Sequence, residues 1–147
     1  SWMTRRFEAH ERREAERFLE EILERRAALV QRCMPGFEAP GERSLVWIDG
    51  AWTHAILKRP RFAGEDEQVH AHGAPTARER AVASSALAGL EPHITYARVD
   101  LVPDDTGADE VVISEVELIE PSLFFDHCPT ALERYVDALE RVAGAGL

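Results

Sequence analysis

Apolar residues recur near the start of the chain at Ala15, Phe18, Leu19, Ile22 and Leu23, with Glu and Arg between them. That spacing returns to one side of a helix at every turn, so it predicts a helix over 5–26 with a solvated charged face. Ala27–Cys33, centred on Leu29-Val30-Gln31 and ended by Pro35-Gly36, reads as a short strand. Arg43–Ile48 and Trp52–Lys58 form a hairpin across Asp49-Gly50, a pair that supplies the positive φ angles of a tight turn. Residues 59–75 mix Pro, Gly, His and charge without periodicity and read as a mobile loop. Thr76 with Glu79 forms a capping box, predicting a helix that runs to about Ala88 and stops at Gly89. Strands over Ile94–Val102 and Glu110–Ile119 follow, joined by the acidic turn Pro103-Asp104-Asp105-Thr106-Gly107. A last helix spans Pro129–Ala143, with Leu132, Tyr135, Val136, Leu139 and Val142 on one stripe. The expected class is α+β, a mostly antiparallel sheet with helices on one face, in a single domain covering 1–147.

Strand alternation then sorts the charged residues. Tyr96, Arg98 and Asp100 point one way on their strand, and Val111, Ile113, Glu115, Glu117 and Ile119 share a face on the next. If the two strands pair through the short turn, Asp100, Glu115 and Glu117 meet on one face beside Arg98. Three carboxylates so close repel one another unless cations lie between them. Hard divalent ions with oxygen ligands, magnesium foremost, meet that need. The alternative is a solvated strand face on which Arg98 pairs with one glutamate, since any half-exposed strand alternates in this way.

The phrases Tyr96-Ala97-Arg98-Val99-Asp100-Leu101 and Glu115-Val116-Glu117-Leu118-Ile119-Glu120-Pro121-Ser122 resemble the last two strands of ATP-grasp ligases. That superfamily includes D-alanine–D-alanine ligase and glutathione synthetase. Glu117 to Phe124 is similar to a phrase in ATP-grasp proteins related to the cycloserine-biosynthesis ligase. Val30–Pro35 resembles the hinge strand that reads adenine, Glu42–Gly50 the strand after it, and His54–Pro60 the basic strand that faces the phosphates. The resemblance implies the carboxyl-terminal half of an ATP-grasp fold, without the phosphate-loop lobe or the amino-terminal substrate domain. Ser1-Trp2-Met3-Thr4 then reads as the stub of that loop in a cut or truncated chain.

Residue by residue, the resemblance implies that Asp100, Glu115 and Glu117 hold Mg2+. Glu117 stands where many members have Asn, and Glu120 is a substitute whose strand parity opposes the role. Arg98 would stabilise the transferring phosphoryl group or acyl phosphate. Lys58 would contact phosphate, Gln31 and Cys33 would meet adenine through main-chain atoms, Glu42 would bind the ribose or hinge, and Leu118 would floor the adenine. His54 shares parity with Lys58 and either faces the nucleotide or is an ordinary strand residue. His70-x-His72 lies in an irregular loop without a third ligand, which favours a solvated or substrate-covering loop over a metal pair. His127 and Cys128 need no role beyond starting the last helix.

Composition narrows the partners. Asp and Glu outnumber Lys and Arg by 27 to 17, for a formal charge of −10. Such a surface repels phosphate backbones and anionic lipid, so neither nucleic acid nor membrane is an expected partner. Two cysteines in no metal-like spacing, and the lack of an apolar run of membrane length, indicate a reduced, cytoplasmic protein. Two functions remain. One is an ATP- and Mg2+-dependent ligase half that joins a small carboxylate to an amine or thiol through an acyl phosphate. The other is a non-catalytic module that binds nucleotide or a partner, and a bare sheet edge or lobe face would pair with the other lobe or a second copy.

Overall fold

Leu45-Val46-Trp47-Ile48 is an unbroken apolar run because both faces of its strand are covered. In this computed structural model, which describes residues 4–59, 68–71, 73–105 and 110–144, the elements follow in chain order. They are α1 (Arg12–Leu23), β1 (Glu42–Ile48), β2 (Ala51–Arg59), β3 (Gln68–Ala71), α2 (Ala77–Leu87), β4 (Tyr96–Pro103), β5 (Val111–Glu117) and α3 (Pro129–Gly144). The strands form one sheet in the order β3-β2-β1-β4-β5, and every neighbouring pair is antiparallel.

Two units are distinguished, one ending at Cys33 in this part of the chain and a larger one beginning at Met34. The first contains α1, on which Ala15, Phe18, Leu19 and Ile22 are half-buried and the charged positions are exposed, as the periodicity predicts. The Phe7 and Phe18 rings lie 5.6 Å apart. The strand expected over 27–33 is absent. This stretch is irregular, and Leu29 and Val30 are exposed. A strand exists only by hydrogen bonding to a neighbour, and no described strand pairs with these residues.

The second unit holds the sheet. Odd residues of β1 (Leu45, Trp47) join Ala97, Val99 and Leu101 of β4 and Ala83 and Leu87 of α2 in one apolar cluster. The even residues Val46 and Ile48 pack with Leu123 and Ala131, flanked by Tyr96 and Tyr135. Thus α2 covers one face, while α3 covers only one end of the other. This refines the expectation of helices on one face: Ala131 and Tyr135 match the apolar end of the even face, and its other end is left polar.

Local signals behave as expected at both ends of α2 and at the hairpin. Thr76 accepts from the Glu79 amide at 3.2 Å while Glu79 accepts from the Thr76 amide at 2.7 Å. Asp49 (φ 47°) and Gly50 (φ 83°) make the β1–β2 turn. The turn is tied to α3, because Arg134 donates to the Ile48 carbonyl at 2.8 Å and Arg141 pairs with Asp49. The loop expected over 59–75 contains β3, paired with β2 through Ile56↔Ala71 and Lys58↔Val69; residues 60–67 and 72, and so His72, lie outside the described residues. So do Ser1–Met3. No helix among the described residues is long and apolar enough to cross a membrane.

Candidate functional site

The polar end of the even face is built in three cross-strand rows. Registers place His54, Val46, Arg98 and Glu117 in one row, and Ile56, Ser44, Asp100 and Glu115 in the next. Lys58 opposite Glu42 forms the third. Residues directly opposite on antiparallel strands share a face, so Asp100, Glu115, Glu117, Arg98, Lys58 and Glu42 converge, as strand parity anticipates. A bulge in β5 at Asp100/Leu101 inserts Ser114, whose hydroxyl donates to Glu42.

Asp100 is the hub and is fully buried. Arg98 grips it through two nitrogens, Nε to Oδ1 and Nη2 to Oδ2, each at 2.9 Å. Lys58 Nζ lies 2.6 Å from Asp100 Oδ2 and 2.9 Å from Glu42 Oε2. Arg98 Nη2 also reaches Glu117 Oε1 at 2.6 Å, and Glu115 Oε2 stands 3.8 Å away. Arg98 Nη1 has the Ser122 carbonyl at 3.5 Å, and the Phe124 ring centroid lies 5.8 Å from the guanidinium carbon.

The electrostatics follow from this geometry. Four carboxylates (Glu42, Asp100, Glu115, Glu117) face two cations (Lys58, Arg98), a formal excess of two negative charges. Burial works to lower Lys58 and Arg98, but the carboxylates outweigh it and hold both above their ordinary range. Glu115 is raised, first by burial and then by the charges of Glu117 and Asp100. It is the outermost group, with its side chain 55% exposed.

A hard divalent cation fits this donor set, since all the carboxylate donors are oxygens and the charge excess matches one such ion. As the side chains stand, Arg98 lies between Asp100 and Glu117, and no cluster of three or more acidic, His or Cys groups among the described residues forms a metal cage.

Gln31 and Cys33 lie in the amino-terminal unit, in irregular exposed chain. Leu118 packs against the cluster under α2, the face opposite Glu117, so its placement does not suit an adenine floor beside the carboxylates. Glu120 is exposed, at φ 57°, just beyond β5. His54 shares the site face but is buried, with Nε2 3.0 Å from the Leu123 carbonyl and Nδ1 2.9 Å from Thr53 Oγ1. Burial keeps its pKa below the usual histidine range, and its partners make it an anchor for the 122–124 segment. His70 is exposed on β3. Both cysteines are free. Ser44, between Ile56 and Asp100, escaped the sequence reading; its equal parity with Glu42 was the available signal.

No family model matches the chain. The cycloserine biosynthesis protein DcsG of Streptomyces lavendulae is 34% identical over 127 residues, covering 76% of this chain and 40% of that protein. The crystal structure of D-cycloserine synthetase DcsG superposes with a TM-score of 0.80 at 28% identity, covering 96% of this chain and 52% of that one. D-alanine–D-alanine ligase from Bacillus anthracis, crystallised with ATP, superposes with a TM-score of 0.54 at 18% identity. It covers 87% of this chain and 44% of the ligase, and the likeness is one of fold. The chain thus spans about half, or less, of the length of the relatives it matches. It is a homologue of DcsG over most of its own length, and its sheet and helices are a partial fold of the ATP-grasp superfamily.

Proposed function

We propose that this chain supplies the cation-and-carboxylate side of a magnesium-ATP site in a ligase that joins a small carboxylate to an amine or thiol. The observation that carries the reading is the array around Asp100: two cations and four carboxylates on one sheet face, with a net charge that calls for a divalent ion. In such a reaction a substrate carboxylate oxygen bonds to the γ-phosphorus as its bond to the β–γ bridging oxygen breaks and ADP leaves. The amine or thiol then adds to the acyl carbon, and phosphate departs. Positioning and electrostatics supply most of the catalysis in phosphoryl transfer.

Each residue has a role in this reading. Lys58 meets phosphate oxygens from β2, and Arg98 steadies charge on the transferring group. Glu115 and Glu117, with Asp100 behind them, would hold Mg2+, which when bound would offset the charge of the phosphates. Glu42 orients Lys58, an arrangement that leaves its ribose contact as a second use of the same carboxylate.

Titration calorimetry with ATP, with and without Mg2+, tests the reading on the chain itself. Weak binding that requires Mg2+ and is lost in a Glu115→Gln/Glu117→Gln double variant is expected. Binding indifferent to Mg2+, or to both substitutions, would refute it. Binding with no ATP consumption in the whole protein would favour the nucleotide-binding module over the ligase.

A further inference from the structure

Lys58 and Asp100 sit on strands that are not neighbours. β1 runs between them, and Lys58 Nζ still reaches Asp100 Oδ2 at 2.6 Å. The register shows the path. Lys58 is opposite Glu42 and Asp100 is opposite Ser44, so the lysine side chain crosses β1 diagonally, between Glu42 and Ser44. Ser44 is fully buried, and its hydroxyl is the only buried side-chain oxygen or nitrogen among the described residues that lacks a hydrogen-bond partner. A buried hydroxyl without a partner is destabilising and uncommon, so its presence calls for a physical reason.

We propose that Ser44 is a positioning residue whose hydroxyl takes over Asp100 when Lys58 leaves that carboxylate for the phosphates of a bound nucleotide. The proposal rests on the magnesium-ATP reading above. Asp100 binds both cations that the nucleotide would recruit. A buried carboxylate that loses a charged partner must gain another donor or its burial becomes costly. Ser44 is the cross-strand neighbour of Asp100, on the same face, and has a donor to spare. The exchange moves no backbone: one hydroxyl rotates as one ammonium swings outward. The same position explains why a small residue stands there, since a bulky side chain would block the lysine's path.

A double-mutant cycle on the unliganded chain separates this from a merely space-filling serine. Lys58→Met imitates departure of the ammonium. Ser44→Ala should leave chemical unfolding unchanged, or slightly strengthen folding, in the native background. In the Lys58→Met background it should lower the folding equilibrium constant by about tenfold, the effect of removing a hydrogen bond to a charged group. If Lys58→Met does not fold, Lys58→Gln, neutral and too short to span β1, replaces it. Equal effects of Ser44→Ala in both backgrounds would overturn the proposal. On the ligand side, Ser44→Ala should weaken magnesium-ATP binding about five- to tenfold without lowering thermal stability. Coupling in the cycle with unchanged nucleotide affinity would overturn the exchange. Coupling with no magnesium-ATP binding by the unsubstituted chain would overturn the nucleotide reading instead, and leave Ser44 as the reserve donor to Asp100.

Discussion

Arg98 stands directly opposite Glu117 across β4 and β5, and the same nitrogen that binds Glu117 at 2.6 Å also binds Asp100 at 2.9 Å. This guanidinium is therefore no surface pair. Arg98→Ala leaves a fully buried Asp100 with Lys58 as its charged partner, and should cost about 3–5 kcal/mol in chemical denaturation. Arg98→Lys keeps the charge but loses the two-pronged grip, so it should cost clearly less. The lysine variant, being folded, is the one in which to measure chemistry. In a full-length ligase its turnover should fall by roughly two to four orders of magnitude, with ATP affinity affected much less. Normal turnover in folded Arg98→Lys would remove Arg98 from the phosphoryl site.

Glu115 adds to the excess negative charge of the array, and its substitution should stabilise the protein. Its pKa is raised in the folded state, by burial first and then by Glu117 and Asp100. The unfolded chain therefore releases this proton at lower pH, and folding stability falls as pH climbs from about 4 through the raised value. Glu115→Gln abolishes that fall. It should match the parent near pH 4 and exceed it at pH 7, by about 1 kcal/mol or less because the side chain is half exposed. Added Mg2+ should raise the melting temperature of the parent more than that of the variant. A variant less stable than the parent at pH 7 would show that the site is not overloaded with negative charge.

The carboxylate face was readable from sequence because alternation holds along β4 and from Glu115 to Glu117, so these residues and Asp100 needed only the right pairing partner. The bulge at Ser114 breaks it beyond that, and Val111 and Ile113, expected on the carboxylate face, pair with Pro103 and Leu101 on the α2 side instead. The Asp49-Gly50 turn and the Thr76–Glu79 box were readable because each is a local device, complete within four residues or fewer. Strand choice was harder. Leu29-Val30-Gln31 has β-forming side chains but no sheet neighbour, whereas Gln68–Ala71, with one β-branched residue, is a strand because β2 offers an open edge. Leu118 follows Glu117, so the alternation that placed the carboxylates also assigned it to the α2 face. Ser44 was obscured by the apolar run after it. The placement of α3 depends on Ala131 and Tyr135 meeting Val46, Ile48 and Tyr96, a contact that no local pattern specifies.

On the α2 face, Arg43 and Glu79 form a buried fork, Nε to Oε1 at 2.8 Å and Nη2 to Oε2 at 3.1 Å. Burial opposes the Glu79 carboxylate, but Arg43 and the Thr76 amide outweigh it and hold its pKa below the ordinary range. Its stabilising effect is therefore full above the unfolded value and is lost as pH falls through the folded one. Glu79→Gln should cost about 2–4 kcal/mol at pH 7, combining a lost charged pair and a weakened cap. The gap between parent and variant should close below about pH 4. A gap that stays constant across that range would mean the carboxylate charge is not what joins β1 to α2.

Gly41 and Gly50 make a controlled comparison that reports on what positions Lys58. Both have positive φ, +117° and +83°, so alanine at either position is strained by about 1 kcal/mol or somewhat more. Their surroundings differ. A Cβ at Gly50 would meet nothing within 4 Å, whereas one at Gly41 would lie 2.5 Å from the Lys58 carbonyl oxygen. That obstacle is backbone of a strand paired on both sides, and it cannot rotate aside as a side-chain tip can. Gly50→Ala should therefore show the conformational cost alone. Gly41→Ala should add the displacement of β2 at Lys58, for a total of about 3 kcal/mol or more, the range of an overpacked interior. Because Lys58 would move with its carbonyl, Gly41→Ala should also loosen the bridge to Asp100 and weaken magnesium-ATP binding, while Gly50→Ala leaves binding unchanged. Chemical denaturation and nucleotide titration of the two variants decide the matter. Equal destabilisation by both would mean that Gly41 is required for its backbone angle only, and that the close approach of residue 41 to β2 does not set the position of Lys58.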